Sequence, residues 1–205
     1  VMSTQGFSDL NALIDGCLND PTVKGVIITS AKSDFAAGMD LAVIAETKDM
    51  NPKNPAQGCF EMVMEIHKIL RKIELAGMDF KTKKDGKPIV AVLPGTALGI
   101  GLEIPLACHH IICADNPKAK IGLPEIKVGI FPGAGGTTRL VRKMGAMAAS
   151  PYLLQGKLCS PAEAQAAGII DAVSATPLED AKAWVLAAKN MDLVKPWDTK
   201  GYKMH

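Results

Sequence analysis

From Pro88 to Glu103 the chain reads PIVAVLPGTALGIGLE. The apolar, β-branched run predicts a buried strand. Gly95, Gly99 and Gly101 after it predict a place where the backbone passes close to another group. A carboxylate, Glu103, follows two residues after the last glycine. Such a loop can cradle a nucleotide phosphate at a helix N-terminus, or it can hold some other oxygen. Deciding between the two constrains both fold and function.

Around this stretch, apolar spacing alternates between helix-like and strand-like segments. Phe7, Leu10, Leu13, Ile14 and Leu18 mark a first helix, with Ser8 or Asp9 as its cap. Residues 24–30 predict a short strand, 31–40 a turn of small residues, 41–50 the start of a helix and 51–58 a loop. CFEMVMEIHKILRKIELAG predicts a long amphipathic helix ending at Gly77. After the glycines, LEIPLACHHIICA reads as a helix running into a strand. AKIGLPEI is a short strand or loop carrying Glu125, and PGAGGTTRLVRKMG a loop opening a helix. Ser160, Pro161 and Glu163 start another helix, a strand follows, and a last helix spans roughly 178–191. Alternation of this kind places the chain in the α/β class.

Composition narrows the function. With 48% hydrophobic and 21% charged residues the 205-residue chain is globular, with enough length for one large or two small domains. Aromatics are 4%, so the core is aliphatic with Met filling gaps. A net charge of +2 and no basic stripe with interleaved aromatics argue against nucleic acid as a partner. KTKKDGK, Lys81 to Lys87, reads as a solvated loop. Five scattered cysteines without a CxxC pair argue against zinc and against a disulfide framework, and fit a reducing, cytoplasmic setting. No signal peptide and no bilayer-spanning run is present, so no membrane partner is expected. The opening VMSTQGF and closing DTKGYKMH read as ends of a fragment, or of an engineered chain in which His205 is a tag remnant.

The phosphate reading comes first. GxxxGIG after a strand resembles the phosphate loop of short-chain dehydrogenases. That loop belongs after the first strand, whereas here more than ninety residues precede it. Those enzymes also need a Tyr four residues before a Lys. Tyr152 is followed four later by Gly156, and from Tyr202 the chain ends first.

The other reading starts from Glu103 and Glu125, with one helix and one strand between them. The chain can return both carboxylates to one end of the fold, where they can divide acid and base roles. Each sits in apolar sequence, GLEIPLAC and IGLPEIKV, where an ionised carboxylate is costly unless paired or used. FAAGMDL, GTALGIGLEIPLACHH and KIGLPEIKVGIFPGAGGTTRL together resemble the enoyl-CoA hydratase/isomerase, or crotonase, family, from the first helix to about Val173. The wording DNPKAKIGLPEIKVGIFPGAGG is most similar to the hydratase module of multifunctional fatty-acid β-oxidation enzymes. The hydroxyacyl-CoA dehydrogenase module that follows in those proteins is absent here.

The resemblance implies an α/β crotonase (ClpP/crotonase-like) spiral of ββα units, truncated at both ends. It implies a catalytic core over residues 1–175, with a C-terminal helix and tail over 176–205 beginning a truncated helical region. It implies an enoyl-CoA hydratase that adds water to trans-2-enoyl-CoA to give 3-hydroxyacyl-CoA. Glu103 and Glu125 would be catalytic, and the backbone N–H groups of Met39 and Ile100 would form an oxyanion hole. Ala37, Gly38, Asp40, Leu41, Gly99, Pro124 and Gly133 would contact substrate or coenzyme A. No cofactor or metal is implied, since coenzyme A enters with the acyl-CoA substrate. A homo-oligomer (trimer or hexamer), or a place in a multifunctional β-oxidation chain, is implied. PGAGGTTR could bind an anion at a helix N-terminus; the resemblance implies instead a structural turn supporting Glu125. Met62 and Met64 are candidates for an acyl-chain wall or for core packing. Asp40 is expected to turn the chain at the oxyanion loop.

Three features depart from the family pattern. Ile100 interrupts what is often a run of three glycines, and its β-branched side chain restricts the backbone and narrows the acyl pocket. His109 replaces the usual acid after AC. With His110 it forms a pair whose members point different ways on a helix, which suits packing or surface better than metal or acid/base chemistry. Ala42 stands where a lysine often contacts coenzyme A. Two rivals remain: a Δ3–Δ2-enoyl-CoA isomerase on the same scaffold, and a truncated CoA-binding module without turnover.

Overall fold

A computed structural model describes residues 1–40, 42–43 and 49–204. Two four-stranded sheets organise the described residues. The first has the order β1 (Val26–Ile28), β3 (Ile89–Leu93), β5 (His110–Ala114), β8 (Ala172–Ser174), with every neighbouring pair parallel. The second has the order β2 (Ala36–Ala37), β4 (Ala97–Leu98), β6 (Ile121–Gly122), β7 (Leu158–Cys159). Its first three strands are parallel, and β6 pairs with β7 antiparallel. The chain visits the sheets in turn: β1 then β2, β3 then β4, β5 then β6. Each round adds one strand to each sheet and then departs through helical structure, which is the spiral of ββα units expected above.

The helices are α1 (Thr4–Asn19), α2 (Pro55–Leu75), α3 (Ile100–Ala107), α4 (Gly136–Met144), α5 (Ala146–Leu154), α6 (Pro161–Ala166) and α7 (Pro177–Ala187). Several boundaries differ from expectation, each for a local reason. Helix α1 is capped by Ser3, which accepts from the Gly6 N–H, rather than by Ser8 or Asp9, which lie inside it. Helix α2 begins at Pro55, inside the expected loop, because Asn54 caps it and Pro at the first position costs no hydrogen bond. Ala36–Ala37 is a strand rather than part of a turn, since pairing with β4 overrides the low strand propensity of alanine. Helix α7 stops at Ala187, and a separate 3-10 turn follows at Asn190–Leu193. At Ser160 the expectation holds in full: its hydroxyl and Glu163 form a capping box. The expected helix start at 41–50 falls largely on residues outside those described.

All five residues of β3 are buried. Ile89, Ala91 and Leu93 face a core shared with Leu70 and Ile73 of α2 and with Leu102 and Leu106 of α3. Val90 and Val92 face the other way, against Ala181, Trp184 and Val185 of α7. One strand therefore serves two layers. The glycine stretch places α3 against β2: a Cβ on Gly101 would collide with the Ala36 carbonyl and stand 2.9 Å from the Ala36 Cβ. The obstacle is backbone held in a sheet, which cannot swing aside as a side chain would. Gly101→Ala is therefore expected to lower the free energy of unfolding by about 3 kcal/mol, read as a fall in the urea midpoint at unchanged slope.

Candidate active site

Sheet two leads Met39 and Ile100, the residues expected to supply the oxyanion N–H groups, to one cavity. The β2–β4 register pairs Ala36 with Ala97 and Ala37 with Leu98. Met39 and Ile100 each lie two residues past the end of their strand, and both line the same cavity. The Met2 N–H donates to the Gly38 carbonyl and the Asp40 N–H donates to the Met2 carbonyl, which leaves the Met39 N–H between them without a backbone acceptor among the described residues. The Ile100 N–H, at the first position of α3, has none there either. Asp40 turns the chain as expected, its side chain accepting from the Ala42 N–H at 3.0 Å.

Ile100 is accommodated without strain. The positive φ that the turn requires falls on Gly99, at 57°, and Ile100 itself is helical. Its side chain packs into the main core and also forms part of the cavity wall.

Glu103 lies in the first turn of α3 and is only 3% exposed. Its Oε1 accepts from the Ala134 N–H at 2.9 Å and the Gly136 N–H at 2.8 Å. PGAGGTTR thus does bind an anion at a helix N-terminus, and the anion is a carboxylate of this chain. The expectation that the turn supports Glu125 is corrected: the residue it holds is Glu103. Burial pushes the Glu103 carboxyl up to about 7, against the opposing pull of the Gly136 N–H. The charge of Glu125 contributes to that rise, while the Ala134 N–H and Arg139 oppose it.

Glu125 opens a 3-10 turn (Glu125–Val128) directly after β6. A Cβ on Gly99 would stand 3.0 Å from its Oε1. Its other oxygen, Oε2, is buried without a hydrogen-bond partner among the described residues. Burial raises its carboxyl above the usual range. The two carboxylates, Ala37, Gly38, Met39, Asp40, Gly99, Ile100, Pro124 and Gly133 all line one cavity of about 800 Å³. Leu41 lies outside the described residues.

The cavity also has residues that the sequence did not single out: Cys59, Lys127, Val128, Ile130 and Phe131. Val128 and Phe131, at 67% and 71% exposed, are unusual for large apolar side chains and form its rim. A run of alternating apolar residues inside a Gly- and Pro-rich segment was the available signal. Met62, Val63 and Ile66 of α2 form another part of the wall, whereas Met64 points to solvent.

The two histidines are elsewhere. Neither is helical: His109 follows α3, and His110 opens β5. The His109 Nδ1 accepts from the Ile89 N–H, so its Nε2 carries the proton and donates to the Glu74 carbonyl. Burial holds it neutral, pushed down to about 4. His110 stacks on Trp184 with ring centroids 4.9 Å apart. Both roles are packing, as expected. Among the described residues no cluster of His, Cys, Asp or Glu is suited to a metal ion, and no helix is long and apolar enough to cross a membrane.

The profile of the enoyl-CoA hydratase/isomerase family matches residues 2–193, and the chain belongs to that family. It is 39% identical over 177 residues to the fatty acid oxidation complex subunit alpha of Acinetobacter baylyi. It is 36% identical over 194 residues to the peroxisomal fatty acid beta-oxidation multifunctional protein of Arabidopsis thaliana. Those matches cover 84% and 92% of this chain but 22% and 24% of the relatives, so the chain spans about a quarter of their length. Among solved structures, an enoyl-CoA hydratase from Bacillus anthracis is similar with a TM-score of 0.71 at 30% identity, over 93% of this chain and 67% of that one. Another from Thermoplasma volcanium gives 0.72 at 27%, over 91% and 66%. The fold is the crotonase fold.

The state of Glu103 is open to a direct test. Its carboxyl is raised in the folded chain, so the folded state disfavours the ionised form. Stability is therefore lost as pH rises from the ordinary carboxylate range through about 7. Glu103→Gln keeps the acceptor for both N–H groups and removes the charge. Above pH 7.5 the variant is expected to be the more stable by on the order of 3 kcal/mol. The gap should close near pH 4.5 in urea denaturation at a series of pH values.

Proposed function

We propose that this chain is an enoyl-CoA hydratase, adding water across the double bond of a trans-2-enoyl thioester. The observation that carries the reading is the difference between the two carboxylates at one cavity. Glu103 accepts two backbone N–H bonds on Oε1, which favours its ionised form. Glu125 has a buried, unpartnered Oε2, which favours the neutral acid. Glu103 then takes a proton from water as the oxygen adds to C3. Electron density moves to the thioester oxygen, which accepts from the N–H groups of Met39 and Ile100. The enolate collapses as Glu125 gives its proton to C2. In dehydration the roles reverse.

Backbone donors suit that oxygen because their position is set before the reaction, and losing one such donor typically costs about 3–4 kcal/mol in the transition state. Helix α3 adds its positive end at the same place. The family and the names of the relatives support fatty-acid β-oxidation as the setting, and coenzyme A as the part of the substrate outside the reacting centre. An isomerase needs only one proton shuttle, so two carboxylates at one cavity favour the hydratase.

With crotonyl-CoA, the enoyl thioester absorbance should fall with time. Glu103→Gln and Glu125→Gln should each slow that loss by about 10²- to 10⁴-fold. A Glu103→Gln variant that stops hydration but still moves a 3,4 double bond would favour the isomerase. For the wild type, kcat/KM should rise with pH through about 7 as Glu103 ionises.

A further inference from the structure

Among the described residues three charged side chains are buried: Glu74, Glu103 and Arg139, at 4%, 3% and 6% exposed. They form one connected chain. The Arg139 Nε donates to the Glu74 Oε1 at 2.9 Å, and its Nη1 donates to the Ala134 carbonyl at 3.0 Å. Ala134 is the residue whose N–H donates to Glu103. It is thus gripped from both sides, by the guanidinium on its carbonyl and the carboxylate on its N–H. Gly135 leaves the room this needs, since a Cβ there would collide with the Arg139 Nη1. The far oxygen of Glu74 accepts from Arg71 at 2.9 Å, and Arg71 in turn binds both oxygens of Asp198.

We propose that Arg139, held in place by Glu74, is a positioning residue for Glu103: it fixes the turn whose N–H groups aim and ionise that carboxylate. This rests on the reading of Glu103 as a reacting group. The pair is a poor device for stability alone, because a buried ion pair can often be exchanged for apolar side chains without loss. What an apolar pair could not supply is the bond to the Ala134 carbonyl and a positive charge behind the turn. That charge pulls the Glu103 carboxyl down, against burial and against Glu125. The charged groups facing Glu103 are Glu125 from the 3-10 turn and Arg139 from α4. Arg139 is itself paired with Glu74 of α2, and His67 of the same helix stands beside Gly135. The nearby strands β2 and β4 contribute only Ala and Leu.

The test is the double variant Arg139→Met, Glu74→Met, which leaves no unpaired buried charge, beside Arg139→Lys. Two readouts are taken: crotonyl-CoA turnover against pH, and the ¹³C-carboxyl titration of Glu103, assigned by its loss in Glu103→Gln. The double variant should lose about 10²-fold in kcat, with KM changed less than about 3-fold. Its Glu103 titration and the rising limb of kcat/KM should both move to higher pH. Arg139→Lys, which keeps the charge but not the fork, should fall between. A folded double variant with wild-type kcat and an unmoved titration overturns the proposal. Should it not fold, Arg139→Lys decides by the same readouts. If the wild type shows no turnover, the hydratase reading fails, and the titration alone decides: an unmoved midpoint overturns positioning, and a raised one supports it.

Discussion

A carboxylate at the N-terminus of a helix is the interaction on which the site is built. Glu103 leaves one helix and ends at the start of another, its Oε1 between the N–H groups of Ala134 and Gly136. The Gly136 N–H is among the donors a helix leaves unpaired at its start, and the Ala134 N–H comes from the turn just before it. The same contact fixes how α3 and α4 meet and completes the wall of the cavity. A neutral side chain of the same shape would be cheaper to bury, so the site carries a cost in stability above neutral pH. Such a cost fits the reacting role proposed for Glu103.

The two carboxylates differ because the fold gives them different surroundings. Glu103 lies behind the turn and has backbone donors, whereas Glu125 begins a 3-10 turn with no donor for Oε2 among the described residues. Their mutual repulsion raises Glu103 when Glu125 is charged. The two groups therefore do not ionise independently of one another. An acid and a base at one cavity are what the proposed addition of water requires. A symmetric pair, both exposed or both equally bonded, would have no such preference.

Much of this was legible in the sequence, for physical reasons. The β3 run, the glycine stretch, both carboxylates and the Ser160 capping box depend on local composition and spacing, and each stands where it was expected. The boundaries that moved, at Ser3, Pro55 and Ala36, were decided by caps and by pairing between distant strands. PGAGGTTR holds Glu103 rather than Glu125 because α4 packs against α3. That packing brings the Ala134 N–H to a carboxylate far back along the chain, which no local pattern announces. The buried Glu74 was visible in principle: it lies four residues after Leu70 and eight after Ile66, on the apolar stripe of α2, where a charge needs a partner. Nothing local in α2 named Arg139 as that partner.

The proposed oxyanion pair shows most clearly what the topology contributes. Met39 and Ile100 belong to different turns of the spiral, and no motif joins them. They line one cavity because β2 and β4 are parallel and in register and each residue stands two positions past the end of its strand. Neither N–H has a backbone acceptor among the described residues. The identity of the side chain at either position matters little to this, provided that the backbone can follow. At residue 100 the positive φ lies on Gly99 instead, and an isoleucine enters α3 in an ordinary helical conformation. A run of three glycines is therefore not required by the backbone geometry of this turn. What the geometry requires is one glycine to turn at 99 and one at 101 to let α3 lie on the Ala36 carbonyl, with the residue between them free to shape the cavity wall.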